Sequence, residues 1–267
     1  MRTVKELQNL TGRNALITGA SGHLGQKFAG VLAELGANLI IVDKQEVGLT
    51  ELKKSLKKKY NVEITSYLCD LEDENSRELI ISTIKKDFDS LSILINNAAF
   101  VGTTELEGWA VPFEQQTLST WRRAIEVNLT AAFHLSQGLA PIIRRSTGAS
   151  IVNIGSIYGY YAPDFKLYEG TNLGNPAAYA VSKAGLTQLT RWLSTALAPT
   201  IRVNSISLGG IEREQTETFK TNYVSKTPLQ RMAKEDDALG ALILLATDMA
   251  EYITGQNIFV DGGWGVW

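Results

Sequence analysis

The 267-residue sequence predicts an α/β fold, a doubly wound parallel sheet of seven strands with helices on both faces. Three observations carry that expectation. Short β-rich runs alternate with longer helical patterns, as βαβ units require. Several runs are apolar almost throughout, as strands covered on both faces must be. The alternation continues to Val260 without an internal repeat, a low-complexity segment or a linker. One domain over residues 1–267 is therefore expected, with halves of about 12–150 and about 151–267.

The first strand is NALIT from Asn14, running into the glycine-rich TGASGHLG (Thr18 to Gly25) and a helix, GQKFAGVLAELG. The second, NLIIV from Asn38, ends at Asp43. The third, EITSYLC from Glu63, ends at Asp70 and precedes the helical ENSRELIISTIKKDF. LSILI from Leu91 is the fourth, and TWRRAIEVNLTAAFHLSQGLAPII reads as the helical crossover that follows. ASIVNI from Ala149 is the fifth. PAAYAVSKAGLTQLTRWLSTAL forms the next helix, with Pro176 near its start, where a missing N–H costs nothing. IRVNSI from Ile201 and NIFV from Asn257 complete the sheet, joined by right-handed crossovers.

An apolar fraction of 44% and a charged fraction of 20% suit a globule with a sizeable core. The net charge of -2 gives no electrostatic reason to expect nucleic acid or an anionic membrane as partner. The lysine-rich run Lys53 to Tyr60 reads as a solvated helix face. Cys69, the single cysteine, reads as a buried, inert thiol, and His23 and His134 lack ligand-like spacing, so no metal is expected. The N-terminal segment lacks the apolar core of a signal peptide, and no apolar run would span a bilayer; a cytoplasmic location is expected.

Chemistry is legible at two places. A glycine-rich turn between a strand and a helix lets backbone approach a pyrophosphate and points helix N-terminal amides at it. At the end of the second strand Asp43 would accept hydrogen bonds from ribose hydroxyls and repel a 2′-phosphate, which favours NAD over NADP. The neighbouring Lys44 reads as a solvated loop lysine. Asp70 would meet the adenine amino group or cap a helix. At the other place, Tyr179 and Lys183 are four residues apart on one helix, so they share a face. A phenol titrating near 10 is a poor base at neutral pH, and an adjacent ammonium would lower that value.

With these pieces in order, the chain resembles the compact branch of the short-chain dehydrogenase/reductase family over essentially its whole length. The matching segments are TGASGHLG, Asp43, CDL, NNAA (Asn96 to Ala99), EVNL with Asn128, GS with Ser156, YAVSK, IRVNSI and TGQNIFVDGGW. The resemblance implies a Rossmann-type fold and an NAD(H)-dependent oxidoreductase that interconverts a secondary alcohol and a ketone. It implies that Tyr179 is the general acid/base, that Lys183 lowers its pKa and holds the nicotinamide ribose, and that Ser156 binds the reacting oxygen. Asn128 would anchor a water linked to Lys183, or be only a polar kink in a helix; Ser156 would otherwise be a turn residue. The implied dinucleotide site comprises Gly19, Ser21, Gly22, His23, Leu24, Gly25, Asp43, Asp70, Leu71, Asn97, Ala98, Ala99, Tyr179, Lys183, Gly209 and Ile211. A dimer or homotetramer is implied too, with Trp192 and Leu193 at the interface or in the core. An NADP-dependent carbonyl reductase of another substrate class and a non-catalytic dinucleotide sensor are the competing readings.

The sequence departs from the family in four places. Gly22 stands one position early, with His23 following it. Ser207 to Gly210 lacks the proline that usually precedes this glycine, leaving the next loop without a fixed φ. Ser156 and Tyr179 are 23 positions apart, an enlarged segment, and VGTTELEGWAVPFEQQT, with Trp109 and Phe113, is also extra. Both insertions follow strands at their carboxyl ends, where ligands bind in this fold; surface elaboration or a subunit contact is the other reading. If they line the substrate site, Tyr158, Asp164, Lys166, Tyr168, Glu169, Thr171 and Asn172 suit a polar carbohydrate, a sugar or sugar phosphate. The segment is also similar to that of bacterial family members associated with surface-sugar biosynthesis, flagellin modification included.

Overall fold

The computed structural model describes residues 1–101, 106–171 and 173–267. Seven parallel strands form one sheet in the order β3-β2-β1-β4-β5-β6-β7. They are β1 (Asn14–Thr18), β2 (Asn38–Asp43), β3 (Ile64–Leu68), β4 (Ile93–Asn96), β5 (Ala149–Ser156), β6 (Ile201–Leu208) and β7 (Asn257–Val260). All seven lie where the sequence places them, with ends shifted by at most two residues. The chain lays β1, β2 and β3 outward in one direction and then returns to set β4 on the other flank of β1. That reversal opens a crevice at the carboxyl ends of β1 and β4.

The helices are α1 (Val4–Gln8), α2 (His23–Glu34), α3 (Glu46–Lys59), α4 (Glu74–Asp87), α5 (Leu118–Ile125), α6 (Ala131–Ile143), α7 (Ala177–Ala196), α8 (Glu217–Ser225) and α9 (Leu239–Ala246). One face of the sheet packs Ile17, Leu39, Ile41 and Ile95 with Phe28 and Leu32 of α2 and Leu242 and Leu245 of α9. The other packs Leu16, Ile40, Leu94 and Ile151 with Ile84 of α4, Leu139 of α6 and Leu193 of α7. Burial on both faces explains why these strands read as continuous apolar runs. The lysine-rich end of α3 turns outward as expected, while Leu49, Leu52 and Leu56 supply its buried side.

The crossover between β4 and β5 is not one regular helix. Residues Glu126–Thr130 form a π-helical turn between α5 and α6, and Asn128 lies buried in it. Such turns insert one extra residue into the helical ladder and redirect side chains, often at functional sites. On α7, Leu193 is buried in the core and Trp192 is exposed, which separates two residues that the sequence left together.

Two glycines of the first turn have no substitute. Gly19 has φ +62, and a Cβ there would stand 2.8 Å from the Ala98 Cα. A Cβ on Gly25 would stand 2.1 Å from the Gly19 carbonyl oxygen, so only glycine lets α2 begin this close to β1. Gly22 has an ordinary φ of -70. Gly25→Ala should therefore lower stability by about 1–3 kcal/mol, the usual cost of overpacking. Urea unfolding measures that loss.

Candidate active site

The crevice holds two connected cavities. The first is lined by Gly19, Gly22, His23, Leu24 and Gly25 on the β1–α2 turn, by Asp43 and Lys44 after β2, by Asp70 and Leu71 after β3, and by Asn97, Ala98 and Ala99 after β4. This is an elongated groove with a glycine cradle at its centre and carboxylates towards one end, so its donor set fits a dinucleotide. Ser21 does not line it; its backbone N–H donates to Asp43 at 3.0 Å. The other oxygen of Asp43 accepts from the amides of Lys44 at 2.7 Å and Gln45 at 3.2 Å. The Asp43 side chain is thus held in place by three backbone amides before any ligand arrives.

The Asp70 carboxylate lines the groove and accepts from the Glu72 amide at 3.0 Å, but it is not the helix cap: Asp73 caps α4, accepting from the amides of Asn75 and Ser76. Cys69 borders the groove as well, and burial raises its thiol pKa to about 11, so the thiolate is scarce at neutral pH. Phe100, Val127 and Arg213 are wall residues that the sequence reading did not single out.

The second cavity, of about 530 Å³, brings together Ser156, Tyr158, Tyr168, Tyr179, Lys183, Gly209 and Ile211. It shares Leu24, Asn97, Ala99 and Arg213 with the first, so the groove opens directly onto it. Ser156 closes β5, and its hydroxyl accepts from the Tyr158 amide at 3.2 Å. Tyr179 and Lys183 stand one turn apart on α7, with Lys183 Nζ 5.9 Å from the centre of the Tyr179 ring. Lys183 is buried, and its ammonium donates to the Ile154 carbonyl at 2.8 Å.

The electrostatics differ from the sequence expectation. Burial holds the Tyr179 phenol above its ordinary range, opposed by the Ser156 hydroxyl, and burial lowers Lys183 to about 8. Desolvation dominates at both groups, and no counter-ion stands beside either among the described residues; a nearby cation would favour the Tyr179 phenolate and disfavour the Lys183 ammonium. Asn128 accepts from the Phe100 amide at 2.6 Å and donates to the Phe100 carbonyl at 3.2 Å and to Ser182 Oγ at 3.0 Å. The π-helical turn is thereby tied to α7.

The enlarged segment between Ser156 and Tyr179 divides. Tyr158 and Tyr168 face the cavity and share a hydrogen bond of 2.9 Å. Lys166 and Glu169 are exposed and do not line it, because a single 3-10 turn (Phe165–Tyr168) buries Leu167 and turns its neighbours out. Asp164 caps that turn and pairs with Lys226. Thr171 lines an adjacent hollow with Phe113, and Asn172 lies outside the described residues. Trp109, from the other insertion, is buried against the cavity, donates to the Val101 carbonyl at 2.7 Å and meets Phe100 edge-on. The loop after β6 keeps its shape without proline: Tyr223 Oη accepts from the Gly210 amide, and Ala233 pairs with Ile211.

Residues 19–265 match the family model described as enoyl-(acyl carrier protein) reductase. The chain belongs to the short-chain dehydrogenase/reductase family. As a member it is an oxidoreductase acting on an alcohol or ketone with a nicotinamide dinucleotide. It is 34% identical to a 3-oxoacyl-[acyl-carrier-protein] reductase of Rickettsia conorii, covering 96% of this chain and 98% of the relative. It is 27% identical to the post-translational flagellin modification protein A of Campylobacter coli, covering 96% of this chain and 100% of that one. A short-chain dehydrogenase of Leptospira borgpetersenii with bound NAD+ superposes with a TM-score of 0.82 at 29% identity, over 99% of this chain and 96% of that one. A gluconate 5-dehydrogenase of Burkholderia cenocepacia in complex with NADP and tartrate gives a TM-score of 0.85 at 25% identity, over 99% and 100%. No helix among the described residues is long and apolar enough to cross a membrane.

The lowered pKa of Lys183 has a consequence for stability. Below pH 8 the amine is charged in both folded and unfolded chains, and its burial penalises the fold by roughly 3 kcal/mol. Between about 8 and its ordinary value of 10.5 the folded form is already neutral and the penalty disappears. Melting curves should therefore show the ligand-free wild type gaining stability relative to Lys183→Met as pH rises from 8 to 10, with the variant the more stable of the two at pH 7.

Proposed function

We propose that this chain oxidises a secondary alcohol, or reduces the corresponding ketone, at Tyr179 with NAD(H), on a polar, hydroxylated substrate of sugar or sugar-phosphate type. The two halves, about 12–150 and about 151–267, would act as one domain, the first holding the dinucleotide and the second the substrate. The observation that carries the reading is the junction of the two cavities, with Ser156, Tyr179 and Lys183 in one and the glycine cradle in the other. When bound, the nicotinamide accepts or delivers hydride. Tyr179 takes or returns the hydroxyl proton, and Ser156 holds the reacting oxygen. Lys183 favours the phenolate and binds the ribose.

The fixed carboxylate of Asp43 supports NAD, since it would face a 2′-phosphate with like charge. Lys44 lines the same groove and favours the second reading, an NADP-dependent carbonyl reductase. The lining of the substrate cavity supports a hydroxylated or anionic compound. Its charged lining residues among those described are Lys183 and Arg213; no carboxylate lines it, and Arg213 is paired with Glu235 at 3.1 Å. The exposed Trp121, Phe133, Val181 and Trp192 on α5, α6 and α7 support a dimer or tetramer.

Tyr179→Phe should lower kcat by about 10²- to 10⁴-fold while leaving NADH binding in place. Full turnover in that variant would remove the catalytic assignment. Asp43→Asn should shift the ratio of KM values towards NADPH by roughly tenfold, the effect of removing one repelling charge near the surface. A ratio that stays unchanged would favour the second reading. Screening sugars, sugar phosphates and polyols with NAD+ by NADH absorbance tests the substrate class.

A further inference from the structure

We propose that Asn175 is a substrate-specificity residue, whose side-chain amide takes a second hydroxyl of the substrate, beyond the one that reacts at Tyr179. The proposal rests on the reading of the second cavity as the alcohol site. Asn175 lines that cavity and is only 8% exposed. Its Nδ2 donates to Tyr168 Oη at 3.4 Å, and Tyr168 Oη is itself paired with Tyr158 Oη at 2.9 Å. Its Oδ1 is buried and has no partner among the described residues.

A buried amide oxygen without a donor is costly, and native structures rarely keep one unless a ligand or water completes it. Two other buried amide atoms lack partners, Asn96 Oδ1 and Asn257 Nδ2, and neither residue lines the cavity. Turned the other way, the Asn175 amide would present its NH₂ while its oxygen took the Tyr168 proton. One end stays open in both settings. A hydroxyl both donates and accepts, so it is the group that completes the site either way.

The amide is also held in a fixed relation to the reacting centre. Asn175 precedes Pro176, the cap of α7, whose carbonyl accepts from the Tyr179 amide at 3.0 Å. Gln116 Oε1 accepts from the Ala177 amide at 3.0 Å and pins the same turn from the other insertion. Burial keeps the Tyr158 and Tyr168 phenols protonated, so they steer the amide as neutral hydroxyls. A substrate reaching Tyr179 with a neighbouring carbon that bears hydroxyl would satisfy Asn175. A monofunctional alcohol would leave it orphaned.

The test compares butane-2,3-diol with butan-2-ol, and cyclohexane-1,2-diol with cyclohexanol, as substrates with NAD+. Wild type should favour the diols, and Asn175→Ala should lower the diol-to-monoalcohol ratio of kcat/KM by about 10- to 100-fold, chiefly through KM. Tyr168→Phe, which releases the amide but keeps the ring, should lower it less. NADH fluorescence titration shows that each variant is folded. A diol preference that survives Asn175→Ala overturns the proposal alone. A wild type without any diol preference overturns the hydroxylated-substrate reading with it. Should none of the four alcohols turn over, the extra melting-temperature shift given by cyclohexane-1,2-diol over cyclohexanol, with NADH present, is the readout. Its loss in Asn175→Ala supports the proposal, and its absence in wild type or persistence in the variant overturns it.

Discussion

Hydrogen bonds and one short stretch of backbone link the β1–α2 turn to α7, and the geometry of both cavities hangs on them. Thr18 Oγ1 accepts from the backbone amides of Asn97 at 3.0 Å and Ala98 at 3.1 Å. The Asn97 side chain donates back to the carbonyls of Thr18 at 2.9 Å and Gly19 at 3.1 Å. Two strand ends that diverge at the switch point are thereby stitched together. Phe100, next along, is clamped by Asn128, and Asn128 reaches Ser182, whose hydroxyl donates to the Tyr179 carbonyl at 2.8 Å. The side-chain links in this chain of contacts are Thr18, Asn97, Asn128 and Ser182, and all but Asn97 are buried, so breaking one strands its neighbours without partners. The sheet supplies the crevice; this chain fixes the distance between its two sides.

Asn128 is the central link of that chain. Its amide is spent on backbone and on Ser182, so within the protein it positions residues on either side of the site. The π-helical turn makes this reach available, since a regular helix would aim residue 128 differently. On the far side of that turn, the buried Arg77 bonds Glu126, the Leu71 carbonyl at 2.6 Å and His134 at 3.3 Å. The wall of the first cavity at Leu71 and the π-helical turn thus share one scaffold.

The sheet was readable because strands buried on both faces leave long apolar runs, and Tyr179 with Lys183 was readable because helical spacing alone sets one beside the other. Gly19 and Gly25 were readable as part of a glycine-rich turn between a strand and a helix, although the Ala98 contact that excludes a side chain at Gly19 comes from a distant strand end. The lining of the substrate cavity was not readable in this way. Asn175, Arg213 and Gln215 come from loops whose paths have no sequence period, and only the fold brings them together. Lys166 and Glu169 looked suitable by chemistry, yet the short turn that buries Leu167 faces them to solvent. Desolvation was equally hidden: a lysine four residues from a tyrosine reads as an electrostatic partner until the lysine is seen to be buried and the tyrosine partly so.

Asp43 bears on how this enzyme's ligand preference could drift over evolutionary time. Its two oxygens accept from the backbone amides of Ser21, Lys44 and Gln45, and its side chain lines the groove. Replacing it with a small apolar residue would admit a phosphate and, in the same stroke, leave three amides without an acceptor. Those amides point to where the new anion would sit, so the loss is made good only while that anion is present. A lineage passing through such a substitution would become dependent on its new ligand for the integrity of the turn. Preference and local order are, at this position, inherited together.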